Sequence, residues 1–302
     1  LHRMAVDAAC GGNRTVMSIA VRDIRKRFGA FTALDGISLD FPSGELIALL
    51  GPSGCGKTTA LRCLAGLEDP DAGRIEIGGR DVTALPTNKR DLGMVFQAYS
   101  LFPHMTARQN VEFGLEMRRQ DKATRAKRAA DMLDLVGLST QADRYAHQMS
   151  GGQQQRVALG VALANSPRVL LADEPTGELD TQSSDEVFAA IQRANAAYGT
   201  TVVVVTHDPL VSEHVQRTVG IRDGRTSSEV VRRGEIDEHG NEFVVAEEYA
   251  VLDRAGRLQL PREFTTALDM KDRVRLDLEA DHIGVWPDGS RRAREQEVAG
   301  DE

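Results

Sequence analysis

The sequence predicts an α/β fold: a mostly parallel sheet between helices, interrupted by an all-helical insertion and followed by a small β-rich C-terminal piece. Three observations predict it. Short, almost wholly apolar runs recur at residues 46–50, 169–172 and 202–205, the pattern of strands buried on both faces of a parallel sheet. Helical periodicity alternates with these runs, which implies a three-layer core. From Pro103 to Ala164 the periodicity is helical only.

Each element follows from local chemistry. Apolar alternation starts near Met17-Ser18-Ile19, so the folded part is expected from residue 17 and residues 1–16 are expected to be a disordered lead. A helix is expected from about Thr58 to Ala65, directly after the first apolar run. In the insertion, residues 121–137 put Ala129, Met132, Leu133 and Val136 on one side, while Lys122, Arg125, Lys127 and Arg128 fall largely elsewhere. That is a solvated helix face rather than a nucleic-acid contact. Another helix follows Asp180, with Val187, Ile191 and Ala194 on one face and Gly199 after its end. A break rich in Gly and charge is expected over residues 224–240. An alternating segment occupies 247–287, and the polar residues 288–302 are expected to be disordered.

Composition narrows the function. The chain has 302 residues, a formal net charge of −8, 41% hydrophobic and 27% charged residues, ordinary values for a globular protein. The charge excludes a nucleic-acid coat over the whole chain. No apolar run reaches the roughly 18–20 residues that span a bilayer, so a membrane role would run through another polypeptide. Cys10, Cys55 and Cys63 form neither a disulfide framework nor zinc-ligand spacing, which points to a reducing compartment.

Two motifs carry chemistry. Gly51-Pro52-Ser53-Gly54-Cys55-Gly56-Lys57-Thr58 fits the phosphate-loop pattern G-x-x-x-x-G-K-[ST]. It stands after a buried strand and before a helix, where backbone N–H groups and the helix N-terminus can face phosphate oxygens. Lys57 is expected to neutralise the β- and γ-phosphates and the Thr58 hydroxyl to hold Mg²⁺. The second motif is an apolar run ending in Asp173-Glu174. Two adjacent carboxylates repel unless a cation sits nearby. Asp173 is expected to bind Mg²⁺, and Glu174 to act as general base on water.

Gln148-Met149-Ser150-Gly151-Gly152-Gln153-Gln154-Gln155-Arg156 resembles the ABC signature L-S-G-G-Q, with Met149 in place of Leu. Residues 18–225 thus resemble an ATP-binding cassette (ABC) ATPase. The resemblance implies a P-loop NTPase core, RecA-like, with an antiparallel β subdomain and a helical subdomain at about 103–164. It implies ATP and Mg²⁺ as ligands, with Thr59 beside the phosphate loop. Phe28 resembles the aromatic residue that stacks on adenine. Gln97 resembles the Q-loop glutamine that touches Mg²⁺ and begins the segment meeting the permease. Asp180 resembles the D-loop aspartate and His207 the H-loop histidine that orients water. It further implies a head-to-tail dimer in which Ser150, Gly151, Gly152 and Gln153 of one copy complete the phosphate site of the other. Gly160-Val161 departs from the family pattern, which carries an arginine there. The stretch 174–180 is similar to cassettes serving lipoprotein-release, macrolide-export and cell-division permeases, while 97–115 is closer to solute importers, so direction stays open here.

The segment 247–287 resembles AbrB-like swapped-hairpin proteins: strand, Gly-Arg turn at Gly256-Arg257, strand ending at Pro261, short helix, then an alternating strand. About 40 residues cannot bury a core alone, and the resemblance implies dimerisation. Nine acids against six bases over 247–286 disfavour DNA. The expected organisation is a lead at 1–16, an ATPase domain at 17–234, a linker at 235–246, an AbrB-like dimerisation segment at 247–287 and a tail at 288–302. The expected function is the ATP-hydrolysing motor of a membrane transporter, held on the cytoplasmic face of the cell membrane by separate permease subunits. The alternative is an ATP-sensing regulator whose C-terminal piece binds DNA.

Overall fold

A computed structural model describes residues 19–236, 242–252, 258, 260, 262–270, 274–278 and 283–287. The lead at 1–16, the Gly256-Arg257 turn and the tail at 288–302 lie outside the described residues. The chain divides into two units, residues 1–248 and 249–302.

The first unit opens with β1 (Ile19–Phe28), β2 (Phe31–Phe41) and β3 (Leu46–Leu50), then α1 (Lys57–Ala65), β4 (Ala72–Ile77), β5 (Arg80–Asp81) and β6 (Leu92–Val95). Three helices follow: α2 (Ala107–Met117), α3 (Lys122–Leu135) and α4 (Gly151–Ala164). The α/β alternation then resumes with β7 (Val169–Asp173), α5 (Thr181–Tyr198), β8 (Thr201–Thr206), β9 (Arg217–Arg222), β10 (Arg225–Ile236) and β11 (Glu242–Ala250). One sheet has the order β2-β1-β4-β5 and is antiparallel. The other has the order β11-β10-β9-β3-β8-β7-β6, parallel from β9 to β6.

The unbroken apolar runs have a simple cause. Along β3, Leu46 and Ala48 enter one core while Ile47 and Leu49 enter the other. The valines of β8 divide in the same way, with 202 and 204 on one side and 203 and 205 on the other. Side chains of a strand alternate between faces, so a strand covered on both sides needs apolar residues throughout. The first core joins the sheet to α2–α5, and the second joins it to α1 and the antiparallel sheet. The expected helical insertion is therefore packed on one sheet face. Its helices are capped by their own sequence: Thr106 and Gln109 form a capping box on α2, and Asp121 accepts from Ala123 N and Thr124 N on α3.

The break expected at 224–240 and the linker expected at 235–246 need correction. Among the described residues the turn at Gly224 interrupts the strands; β10 runs to Ile236, and β11 begins at Glu242 on the outer side of β10. Charge misled the reading, because the outer strands of a sheet tolerate polar residues that central strands exclude. Residues 237–241 lie outside the described residues.

The second unit contains α6 (Arg262–Ala267) and a hairpin of β12 (Val274–Leu278) and β13 (Ile283–Pro287). Of the expected elements, α6 covers Arg262–Ala267 and β12 covers only Val274–Leu278.

Arg90 anchors α1 from behind. It is 3% exposed and donates to the carbonyls of Cys63, Leu64, Thr83 and Leu85 at 2.7–2.9 Å. Two of these carbonyls lie in the last turn of α1, where the helix dipole favours a cation. Gly66 is the αL C-cap that lets the guanidinium in: a Cβ there would lie 2.5 Å from Arg90 Nε. Replacement by an apolar residue leaves buried acceptors unpaired. Arg90→Leu is expected to lower the unfolding free energy by about 3–5 kcal/mol, read from the midpoint of urea unfolding, and Arg90→Lys should recover only a minor part.

Candidate functional site

The phosphate loop between β3 and α1 is shaped by backbone approaching backbone. Gly56, the N-cap of α1, has φ 105° and no side-chain cap. The first N–H groups of α1 are thus left for an outside acceptor. A Cβ on Gly56 would lie 2.4 Å from Ala33 O, and one on Gly51 would lie 2.2 Å from Ile221 O. The turn after β9 closes the ring: Gly224 N donates to Cys55 O at 3.0 Å and Asp35 N donates to Gly224 O at 2.8 Å. Arg225 and Arg25 both pair with Asp35, tying that turn to β1 and β2. Pro52, Ser53 and Gly54 are exposed, whereas Cys55 and Lys57 are buried and Thr59 is half-buried.

Lys57 Nζ donates to Gly51 O at 2.7 Å and Pro52 O at 3.0 Å. The ammonium is therefore held within the loop that would cradle a polyanion. Thr58 Oγ1 donates to Asp173 Oδ1 at 3.0 Å, which brings the two expected metal ligands together. Asp173 is 8% exposed. Burial raises its carboxyl above the usual range and Glu174 adds to this, against the Thr58 hydrogen bond, Arg62 and Lys57. A half-buried hydroxyl and a buried carboxylate side by side fit a hard divalent cation, whose charge would offset that burial cost.

Glu174 leaves the strand with φ 46°, a left-handed conformation that costs a non-glycine residue energy. Its N–H donates to Val205 O at 2.9 Å. The bend aims its carboxylate at β8, where Glu174 Oε2 lies 3.0 Å from His207 Nδ1. Both line a cleft of about 370 Å³ with Gly177, Thr181, Asp208 and His214. Gln97 is exposed, and a Cβ on Gly177 would lie 3.9 Å from its Nε2 and 3.6 Å from Glu174 Cβ. Phe28 ends β1 with its ring exposed and the Lys26 ammonium 5.3 Å from its centroid.

Ser150 is the N-cap of α4, in a capping box with Gln153. Among the described residues no hydrogen bond or ion pair joins this turn to the phosphate loop. The turn packs on α5 instead: a Cβ on Gly152 would lie 2.8 Å from Ser183 Cβ, and one on Gly151 would lie 2.6 Å from the Tyr99 hydroxyl. Ser183 in turn donates to Asp180, the N-cap of α5, through N at 2.8 Å and Oγ at 2.9 Å. These bonds hold the Asp180 carboxyl below the usual range, the Ser183 N–H first. Tyr99, Ser183, Ile221 and Gly224 were missed in the sequence. Only Gly224 gave a turn signal, and no pattern marks which distant loop a residue touches.

Comparison with known proteins gives the same picture. The family profile described as "ABC transporter" matches residues 34–177. "Fe(3+) ions import ATP-binding protein FbpC" of Agrobacterium fabrum is 52% identical over 63% of this chain and 54% of its own length. "Sulfate/thiosulfate import ATP-binding protein CysA" of Pseudomonas syringae pv. tomato is 45% identical over 82% of this chain and 76% of its own. The chain thus spans about half to three-quarters of the length of these relatives. Among solved structures, the dimeric MJ0796, a bacterial ABC transporter cassette, superposes with a TM-score of 0.64 at 35% identity, covering 70% of this chain and 97% of that one. The cbiO1 subunit from Clostridium perfringens gives 0.66 at 28% identity, with 70% and 87% covered.

A pH prediction follows from Asp173. Its folded pKa lies above the ordinary 3.8. Its contribution to stability is therefore fully present below that value and lost as pH rises through the folded one. Asp173→Asn removes the buried charge and keeps the acceptor for Thr58. The variant is expected to melt at a higher temperature than the parent at pH 7 without nucleotide or metal. The gap should close towards pH 3.8, as followed by differential scanning calorimetry.

Proposed function

This chain belongs to the ABC transporter family of ATP-binding subunits, and from that premise we propose that it is the ATP-hydrolysing motor of a membrane importer. The observation that carries the reading is the adjacency of two arrangements at the carboxyl ends of the central strands β3, β7 and β8. Lys57, Thr58 and Asp173 form a phosphate- and cation-binding corner, and Glu174, the next residue, pairs with His207.

The residues divide the work as follows. The loop N–H groups and Lys57 hold the triphosphate, and Phe28 offers a face to the base. Thr58 and Asp173, with Gln97 nearby, would hold Mg²⁺, which supplies charge neutralisation when bound and usually keeps few protein ligands. Glu174 accepts a proton from the attacking water, and His207 holds the Glu174 carboxylate in orientation. Ser150, Gly151, Gly152 and Gln153, with Asp180, complete the site of a second copy; the exposed turn at Ser150 and the dimeric cassette relative support this. Permease subunits would receive the motion through the segment after Gln97.

No helix among the described residues is long and apolar enough to cross a membrane, so spanning segments would come from the permease, with this chain on its cytoplasmic face. The relatives named as import subunits support import over export. They lend no support to an ATP-sensing DNA-binding regulator.

Glu174→Gln is expected to lower turnover by roughly 10²–10³-fold while ATP binding persists, so that an ATP-dependent dimer accumulates in light scattering. Parental turnover in this variant would remove Glu174 from the base role. Lys57→Ala is expected to cut ATP affinity or turnover by about 10²-fold or more, measured by calorimetric titration and phosphate release.

A further inference from the structure

The Phe28 ring has two faces, and one of them is already taken. Lys26 and Phe28 stand two residues apart on β1 and so lie on the same side of the strand. The Lys26 ammonium sits over the ring, 5.3 Å from its centroid, while Phe28 remains exposed. That ammonium is itself fixed. It pairs with Glu68 Oε1 at 2.7 Å and Asp71 Oδ1 at 3.4 Å, and it donates to Asp69 O at 2.7 Å. Three oxygen partners match the three N–H donors of an ammonium. The Lys26 side chain is only 11% exposed, so the hold is stronger than that of a solvated surface pair.

The partners of Lys26 belong to the turn that closes the phosphate helix. Leu67 N and Glu68 N both donate to Arg62 O in the last turns of α1, and α1 starts at Lys57. The other strand of the hairpin reaches the phosphate loop as well. Lys26 pairs with Leu34 and Arg27 with Thr32, which leaves Ala33 as the extra residue of a bulge in β2. It is Ala33 O that a Cβ on Gly56 would meet at 2.4 Å. The end of β1 is thus tied to the phosphate loop from both strands of one hairpin. A mere staple between β1 and the turn would not need Lys26. Asp71 supplies that staple by accepting from Arg27 N at 2.7 Å and donating its own N–H to Arg25 O at 2.9 Å.

We propose that Lys26 is a positioning residue for the nucleotide base. It covers one face of Phe28 and braces the ring, so that a base stacks on the opposite face at a fixed distance from the phosphate loop. A cation over an aromatic face is attracted by the ring quadrupole, and the carboxylates of Glu68 and Asp71 keep the cation from drifting into solvent. A braced ring has less freedom to lose when a base stacks on it. The gain therefore reaches only ligands that carry a base. This role rests on Phe28 being the base platform.

Calorimetric titration of the full chain with ATP, and with tripolyphosphate, which has phosphates but no base, separates the two parts of the site. Lys26→Met is expected to weaken ATP binding by about 3–10-fold and to leave tripolyphosphate binding unchanged. In turnover the KM for ATP should rise while kcat holds. Lys26→Arg should recover most of the loss, because a guanidinium pairs with carboxylates and stacks on a ring. Glu68→Gln loosens the ammonium without touching β1 and should shift ATP binding the same way by a smaller factor, which keeps the test open if Lys26→Met fails to fold. Phe28→Ala should weaken ATP binding by about 10-fold, and adding Lys26→Met to it should cost nothing more. Equal weakening of ATP and tripolyphosphate overturns the proposal, as do additive losses in the double variant. Parental ATP affinity in Lys26→Met, with Phe28→Ala impaired, overturns it too. Parental ATP affinity in Phe28→Ala instead removes the base platform, and the role of Lys26 with it.

Discussion

The site rests on a backbone constraint: the phosphate loop must turn N–H groups outward with no side chain to hold it. The loop keeps that shape because other backbones press on it. Ala33 O approaches Gly56, Ile221 O approaches Gly51, and Gly224 bridges Cys55 and Asp35. Each approach excludes a Cβ, so these glycines are fixed by packing alone, before any ligand is considered. Loss of any one contact would loosen the frame in which Lys57 is held by the Gly51 and Pro52 carbonyls.

Strand order then places the remaining chemistry. β3 and β7 both flank β8 in parallel. Their carboxyl ends therefore emerge together and bring Thr58, Asp173, Glu174 and His207 to one edge. The carboxylates differ by environment. Asp173 is buried and bonded to a hydroxyl, which suits a cation. Glu174 is turned aside by its left-handed backbone towards His207, which suits proton transfer from water. Adjacent in sequence, they face different partners because the chain bends between them.

The helical region adds a mechanical link. Gly152 at the start of α4 packs on Ser183, and Ser183 bonds to the cap of α5. The turn at Ser150 and the N-cap of α5 are therefore joined by direct packing and hydrogen bonds. Tyr99, two residues beyond Gln97, reaches Gly151, so the segment after the Q-loop borders the same turn. Gly160 lies between Val111 and Met132 with ordinary spacing, so the departure from the family pattern leaves the packing of α2, α3 and α4 unstrained.

Much was legible in sequence alone. Unbroken apolar runs identified β3, β7 and β8, because strands covered on both faces admit little else. The helix after Asp180 was marked by its apolar face and the glycine after its end, and the structure adds the Asp180 side chain as its N-cap. Motif spacing pointed to Lys57, Thr58, Asp173 and Glu174 as candidates, because phosphate chemistry restricts residue types at short range, and resemblance to ABC cassettes pointed to His207. The tertiary structure alone decided which of these meet. It paired Thr58 with Asp173 and Glu174 with His207, set Gly152 against Ser183, and used Arg90 as a buried anchor. It also extended β10 to Ile236 and began β11 at Glu242, inside the expected linker, since polar sequence at a sheet edge reads like a loop. Sequence patterns record local conformation and burial. Contacts between distant segments depend on strand order and crossings, which no short window contains.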